Sequence, residues 1–173
     1  NKTGYEILDN YYEILRIEAA HLVKSFFEYI EIDVEQEKRF YYPRKKTLES
    51  ILNAYQEVYD GKLDFLSVSQ PKRTGKTTSG LRLSLMMGGN KPDGCIFATG
   101  KGEGLVKSFY GGINEVFDDA DAYKRYLQVF PRAVKVGQNA EELTIHLEKK
   151  RRFATFTCRP IDGSIVGNTE ANT

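Results

Sequence analysis

Apolar side chains in the first third of the chain recur every three or four residues, at Leu8, Tyr12, Leu15, Ala19, Leu22, Phe26 and Ile30. That spacing places them on one face of a helix. The stripe either packs against the rest of its own domain or serves as one strand of a coiled coil. A second stripe, Leu48, Ile51, Leu52, Tyr55 and Tyr59, predicts another helix, with Thr47 as its N-cap and Gly61 as its C-cap. The pattern then changes. Leu63 to Ser69 alternates apolar and polar positions and predicts a strand. Thr77 to Met87 predicts a helix that Gly88-Gly89 should stop. Asn90 to Gly94 has turn composition, Cys95 to Thr99 predicts a short apolar strand, and Leu105, Phe109, Ile113 and Val116 step as a helix. Leu143 to Glu148 and Phe153 to Cys158 alternate on either side of Lys149-Lys150-Arg151-Arg152, which predicts a β-hairpin with a basic tip.

Strand, helix, strand, helix is the order of an α/β fold with a parallel sheet covered by helices. The pattern divides the chain into a helical lead, 1–38, and a core, 39–173. There is no internal repeat and no low-complexity linker. A length of 173 residues allows one domain with a substantial core. A net charge of +1 gives no global basic field, so any contact with nucleic acid must be local. Cys95 and Cys158 are far apart, fit no metal-ligand spacing, and suit a reducing cytoplasm. No apolar run is long enough to span a membrane, and none reads as a signal segment.

Chemistry concentrates between the predicted strand and helix, in Gln70-Pro71-Lys72-Arg73-Thr74-Gly75-Lys76-Thr77-Thr78. Gly-Lys-Thr between a strand and a helix is a phosphate-binding signature. Loop N–H groups and the helix N-terminus point at the phosphates, and the helix dipole favours their charge. Gly75 lets the backbone approach closely. Lys76 reaches the β- and γ-phosphates as a point charge, and the Thr77 hydroxyl is the ligand for Mg²⁺. The usual pattern opens with glycine five residues before its second glycine, where this chain has Gln70.

Two extra cations, Lys72 and Arg73, stand in a stretch that normally carries small residues. Pro71-Lys72-Arg73-Thr74-Gly75-Lys76-Thr77 resembles, position by position, the loop of bacteriophage large terminase subunits, whose pattern is Pro, any residue, Arg, any residue, Gly-Lys-Thr/Ser. Weaker similarity flanks it. Arg39-Phe40-Tyr41-Tyr42-Pro43-Arg44 looks like the family's adenine-side segment, and Asp64 to Ser69 like its first strand. Cys95 to Gly100 looks like its second strand, and Phe153 to Thr169 like the stretch before its acidic strand. The resemblance covers roughly Arg39 to the end.

It implies a P-loop, RecA-like ATPase core that uses ATP and Mg²⁺ to drive double-stranded DNA into a procapsid. The implied partners are a portal protein and a small terminase subunit, with homo-oligomerisation left open, in the cytoplasm of an infected bacterial host. Under this resemblance Arg73 is the cation that stabilises γ-phosphate charge during transfer, acting with Lys76. No apolar run after Ser79 ends in the paired acidic residues such an ATPase requires, and the chain begins at Asn1. The expectation is a fragment cut before the acidic strand, inactive alone.

Other candidates carry two readings each. Tyr42, Pro43 and Arg44 form either an adenine platform or a loop with packed tyrosines. Gly100-Lys101-Gly102-Glu103-Gly104 is either a phosphate loop or a strand-to-helix turn. Lys149 to Arg152 either meets DNA phosphates or is a solvated turn protecting a sheet edge. His146 reads as a strand residue, and His21 has no role. Two rivals to the motor reading remain: another P-loop enzyme, such as a helicase or small-molecule kinase, and a nucleotide-holding assembly module that never turns ATP over.

Overall fold

The computed structural model describes residues 4–161, an α/β arrangement of a four-stranded mixed sheet and six α-helices among those residues. The predicted N-terminal helix is broken. Helix α1 (Gly4–Glu18) ends in a turn, Leu22 is extended, and α2 (Val23–Tyr29) starts afresh after it. Leu15, Ala19, Phe26 and Ile30 are buried, whereas Leu8, Tyr12 and Leu22 are exposed, because one straight face cannot follow two helices. A 3₁₀ turn, Tyr42–Arg44, leads into α3 (Lys45–Tyr59), so Thr47 lies inside the helix rather than capping it. Gly61 does close it: the Gly61 and Lys62 N–H groups donate back to the Val58 and Glu57 carbonyls.

Helix α4 (Lys76–Asn90) runs through the two glycines expected to stop it. A Cβ on Gly88 would lie 2.3 Å from the Phe156 ring, and one on Gly89 would lie 2.3 Å from the Phe130 ring. The glycines are there so that the aromatic core can press against the helix backbone. Strand β1 (Ile96–Gly100) is followed by a turn through Gly102 and by α5 (Glu103–Asp118), so the glycine-rich run is a strand-to-helix turn. Helix α6 (Ala120–Val129), not foreseen, starts at Asp119, whose carboxylate accepts the Ala122 N–H at 2.7 Å.

Three strands complete the sheet: β2 (Lys135–Asn139), β3 (Thr144–Leu147) and β4 (Phe156–Pro160), in the order β1-β4-β3-β2. Only β1 and β4 are parallel; β3 pairs antiparallel with both β4 and β2. The expected hairpin therefore exists, and the expected parallel pairing holds only for β1–β4: β3 runs antiparallel to both its neighbours, so the sheet is mixed. Strand β2 had a signal in Val134 and Val136, closed by Asn139, whose side chain accepts the Glu141 and Glu142 N–H groups. The basic connection after β3 is partly committed to the fold. Arg151 donates to the Pro92 and Leu147 carbonyls and pairs with Glu148, which Arg132 also binds.

The predicted strand Leu63 to Ser69 joins no sheet among the described residues. Its alternation is nonetheless physical: Leu66 and Val68 pack on the core while Phe65 is 81% exposed. One contiguous apolar cluster, from Leu15 to Cys158, lies between the sheet and the helices, with Phe26, Phe27, Tyr126 and Phe156 fully buried. No helix of the described residues is long and apolar enough to cross a membrane. Phe153 to Ile161 is described, whereas Asp162 to Thr169 of the terminase-like C-terminal stretch lies outside the described residues.

Candidate functional site

Gln70 to Gly75 crosses from the extended segment to α4 in a short loop with two left-handed backbone positions, Arg73 (φ 66°) and Gly75 (φ 94°). A non-glycine residue held at positive φ stores local strain, which concentrates at ligand sites. The loop is braced from within. The Thr74 hydroxyl reaches the Pro71 carbonyl at 2.9 Å and the Gln70 side chain at 3.3 Å, so Gln70 takes a bracing role where glycine is usual. Lys76 Nζ lies 3.5 Å from the Gln70 carbonyl, folded back over the loop.

The loop delivers α4 with its N-terminus open. Gly75 occupies the N-cap without a side-chain cap, so the N–H groups of Lys76, Thr77 and Thr78 have no helical acceptor. Behind them the helix start is anchored by buried Ser79, whose hydroxyl donates to the Lys76 carbonyl and lies 3.4 Å from the Tyr55 hydroxyl.

Around this N-terminus is a cleft of about 490 Å³, lined by Phe40, Arg44, Pro71, Lys72, Arg73, Gly75, Lys76, Thr77 and Thr78. Four of these residues are cations, and no carboxylate is among them. None of Arg44, Lys72, Arg73 and Lys76 takes part in an ion pair among the described residues. Unpaired cations, free amides and the positive end of a helix dipole together make the cleft attractive to a polyanion.

The sequence-derived site residues divide. Pro71, Lys72, Arg73, Gly75, Lys76, Thr77 and Thr78 all line the cleft, and Thr74 braces its loop. Of the three platform residues, Arg44 lines the cleft, while Tyr42 and Pro43 do not; Tyr42 instead meets Lys45 Nζ at 5.1 Å. Phe40 lines it in their place. A Cβ on Gly75 would lie 2.7 Å from Phe40 Cε2, so the ring rests on the loop itself. Arg44 stacks near the same ring at 5.1 Å and donates to the Phe40 carbonyl.

Sequence reasoning also missed Glu31 and Arg82. The Glu31 side chain, 4% exposed, accepts the backbone N–H groups of Phe40, Tyr41 and Tyr42 at 2.9–3.1 Å. It also accepts Arg82 Nη2 at 2.8 Å. Arg82 comes from α4, donates to the Phe27 carbonyl, and lies 4.8 Å from the Phe40 ring centroid. Burial pulls the Arg82 guanidinium below its ordinary value, and Glu31 opposes that pull. The only sequence signal for Glu31 was an acidic residue directly after an apolar helix end.

No group of three or more His, Cys, Asp or Glu residues that could hold a metal occurs among the described residues. A metal here would rely on the Thr77 hydroxyl together with oxygens of a bound ligand, which is how Mg²⁺ accompanies phosphates. Comparison with protein-family models, with curated proteins and with solved structures finds no match.

Proposed function

We propose that the cleft at the start of α4 binds the triphosphate of ATP with Mg²⁺. The observation that carries this reading is four unpaired cations and an uncapped helix N-terminus converging on one cleft without a carboxylate. The amides of Lys76, Thr77 and Thr78 cradle phosphate oxygens, and Lys76 neutralises the β- and γ-phosphates. Thr77 would lend its hydroxyl to Mg²⁺, whose charge would offset that of the phosphates. Arg73, held at positive φ in the loop that lines the cleft, would offer its planar guanidinium to the γ-phosphate.

The wider reading rests on the loop sequence Pro71 to Thr77 and its likeness to large terminase subunits. On that reading the chain is the ATP-binding part of a P-loop, RecA-like motor core. The motor hydrolyses ATP to translocate double-stranded DNA into a procapsid, with portal and small terminase partners, in the host cytoplasm. A second reading, a nucleotide-holding module without turnover, is favoured by the absence of any described carboxylate in the cleft to orient an attacking water.

Titration of a fluorescent ATP analogue against the wild-type chain and Lys76→Ala tests the phosphate assignment; equal affinity would overturn it. Phosphate release, measured on a form extended beyond Thr173 beside this chain, separates the motor reading, on which the extended form turns ATP over, from the holding module, on which neither does.

A further inference from the structure

The cleft has a phosphate end, built by the loop and α4, and a second end built by Phe40 and Arg44. Phe40 lies in an irregular segment between two 3₁₀ turns, Gln36–Lys38 and Tyr42–Arg44, and Arg44 ends the second; this stretch has no ladder to hold it. What holds it is Glu31. Its Oε1 accepts from Tyr41 and Tyr42, and its Oε2 accepts from Phe40, Tyr41 and Arg82. Both carboxylate oxygens are thus used as acceptors for several donors at once. Arg82 closes the circuit. It is fixed to α4, the helix whose first turn faces the phosphates, and its guanidinium lies against Phe40 and Phe27 at 4.8 and 5.6 Å. The Phe40 ring in turn sits on Gly75. A continuous chain of contacts thus runs from α2 through Glu31 and Phe40 to the phosphate loop, and back through Arg82 to the helix that carries it.

We propose that Glu31, with Arg82, is a positioning residue that sets the Phe40–Arg44 end of the cleft at a fixed distance from the phosphate loop, so that this end grips the base and sugar of a bound nucleotide. This rests on the reading of the cleft as a nucleoside-triphosphate site. Arg44 is the contacting group: its planar guanidinium lines the cleft, and a purine can stack on it. Glu31 and Arg82 act through Phe40 and touch no ligand. A misplaced platform costs the contacts to the nucleoside and leaves those to the phosphates intact.

The test compares two ligands, ATP and inorganic triphosphate, each with Mg²⁺, by calorimetry on the whole chain. Wild type binds ATP more tightly than triphosphate. In Glu31→Gln the side-chain amide turns donors toward backbone donors, and ATP affinity falls by about tenfold or more, the worth of a stacked base. Triphosphate affinity changes by less than about twofold, a shift too small to count as a lost contact. Arg82→Lys keeps the charge beside Glu31 but loses the planar contact with Phe40, and shows the same ATP-selective loss. It decides the matter if circular dichroism shows Glu31→Gln unfolded. Equal losses for both ligands, or unchanged ATP affinity in a folded variant, would overturn the positioning role. Wild type binding triphosphate no more weakly than ATP would also overturn it, while leaving the phosphate assignment standing. Wild type binding neither ligand would remove the nucleotide reading itself, and this inference with it.

Discussion

Helix α4 carries two cations within two turns of each other, and their surroundings are opposite. Lys76, at its N-terminus, is exposed, lines the cleft, and has only a loop carbonyl at 3.5 Å. Arg82, on its flank, is 15% exposed, paired with Glu31 at 2.8 Å and packed on two aromatic rings. The same contrast separates the two regions they belong to. The loop region keeps its charges uncompensated, so their energy is available to something that arrives later. The region behind it spends its charges on holding the irregular Phe40–Arg44 segment, and removing one partner strands the other in the core. Cations at the cleft should therefore matter for binding and turnover, and the buried pair for stability and geometry.

The largest expected effect lies on the unpaired side. On the proposed motor reading, Arg73→Ala in a form that turns ATP over should slow turnover by on the order of a thousandfold, with a far smaller change in ATP affinity. Arg73→Lys should not rescue it, because a point charge lacks the planar fork. Steady-state phosphate release beside equilibrium binding checks this, and a normal rate would make Arg73 a solvent-facing residue.

On the paired side, Glu31→Ala should cost about 3–5 kcal/mol of folding stability, as breaking a buried pair does. Urea unfolding measures it. A loss under about 1 kcal/mol, the size of an exposed pair, would erase the contrast between the regions.

Lys76→Ala should weaken ATP binding by about 10- to 150-fold, the range for a charge-assisted hydrogen bond. Its urea midpoint should stay close to wild type, within about 0.5 kcal/mol. A large stability loss would mean that Lys76 is structural.

Gly75→Ala probes where the two regions meet, because the new methyl must adopt φ 94° and displace the Phe40 ring from 2.7 Å. A stability cost of about 1–3 kcal/mol is expected, together with weaker ATP binding. Loss of stability with unchanged affinity would uncouple Phe40 from the loop.

The smallest effect repeats the contrast with thiols. Burial pushes the Cys158 thiol up to about 11, whereas Cys95 is exposed. A thiol-reactive dye at pH 8 should label Cys95 quickly in the folded chain, and Cys158 only after denaturant is added. Its raised pKa also makes any native reaction of Cys158 speed up as pH rises toward 11, since the thiolate is the nucleophile. Two fast thiols in native buffer would contradict the packing of β4.

Much of this was legible in the residues. The α3 stripe, the β1 strand, the α5 periodicity and the β3–β4 hairpin each came from a local rule of spacing, and each is present with its ends shifted by about three residues at most. The cleft-lining residues Pro71 to Arg73 and Gly75 to Thr78 were legible for the same reason: they form one contiguous stretch, so the neighbours in sequence are also neighbours in the cleft. Where the reading failed, a distant residue had decided the outcome. Gly88-Gly89 is a stop by local rule, yet Phe130 and Phe156 need that bare backbone, and the helix continues. Leu63 to Ser69 alternates like a strand, but a strand also requires a neighbour, and none of the described residues supplies one.

The sequence by itself determined that α3, α5, β1 and the β3–β4 hairpin form, and where a Gly-Lys-Thr helix start with its cations would lie, because these follow from period, turn chemistry and contiguity. Tertiary structure alone decided that Phe40 rather than Tyr42 faces the cleft, that the sheet is mixed, and that Glu31 joins Arg82 across 51 positions. The physical reason is that a buried carboxylate must find its donors wherever the fold brings them, and no local pattern records which backbone amides those will be.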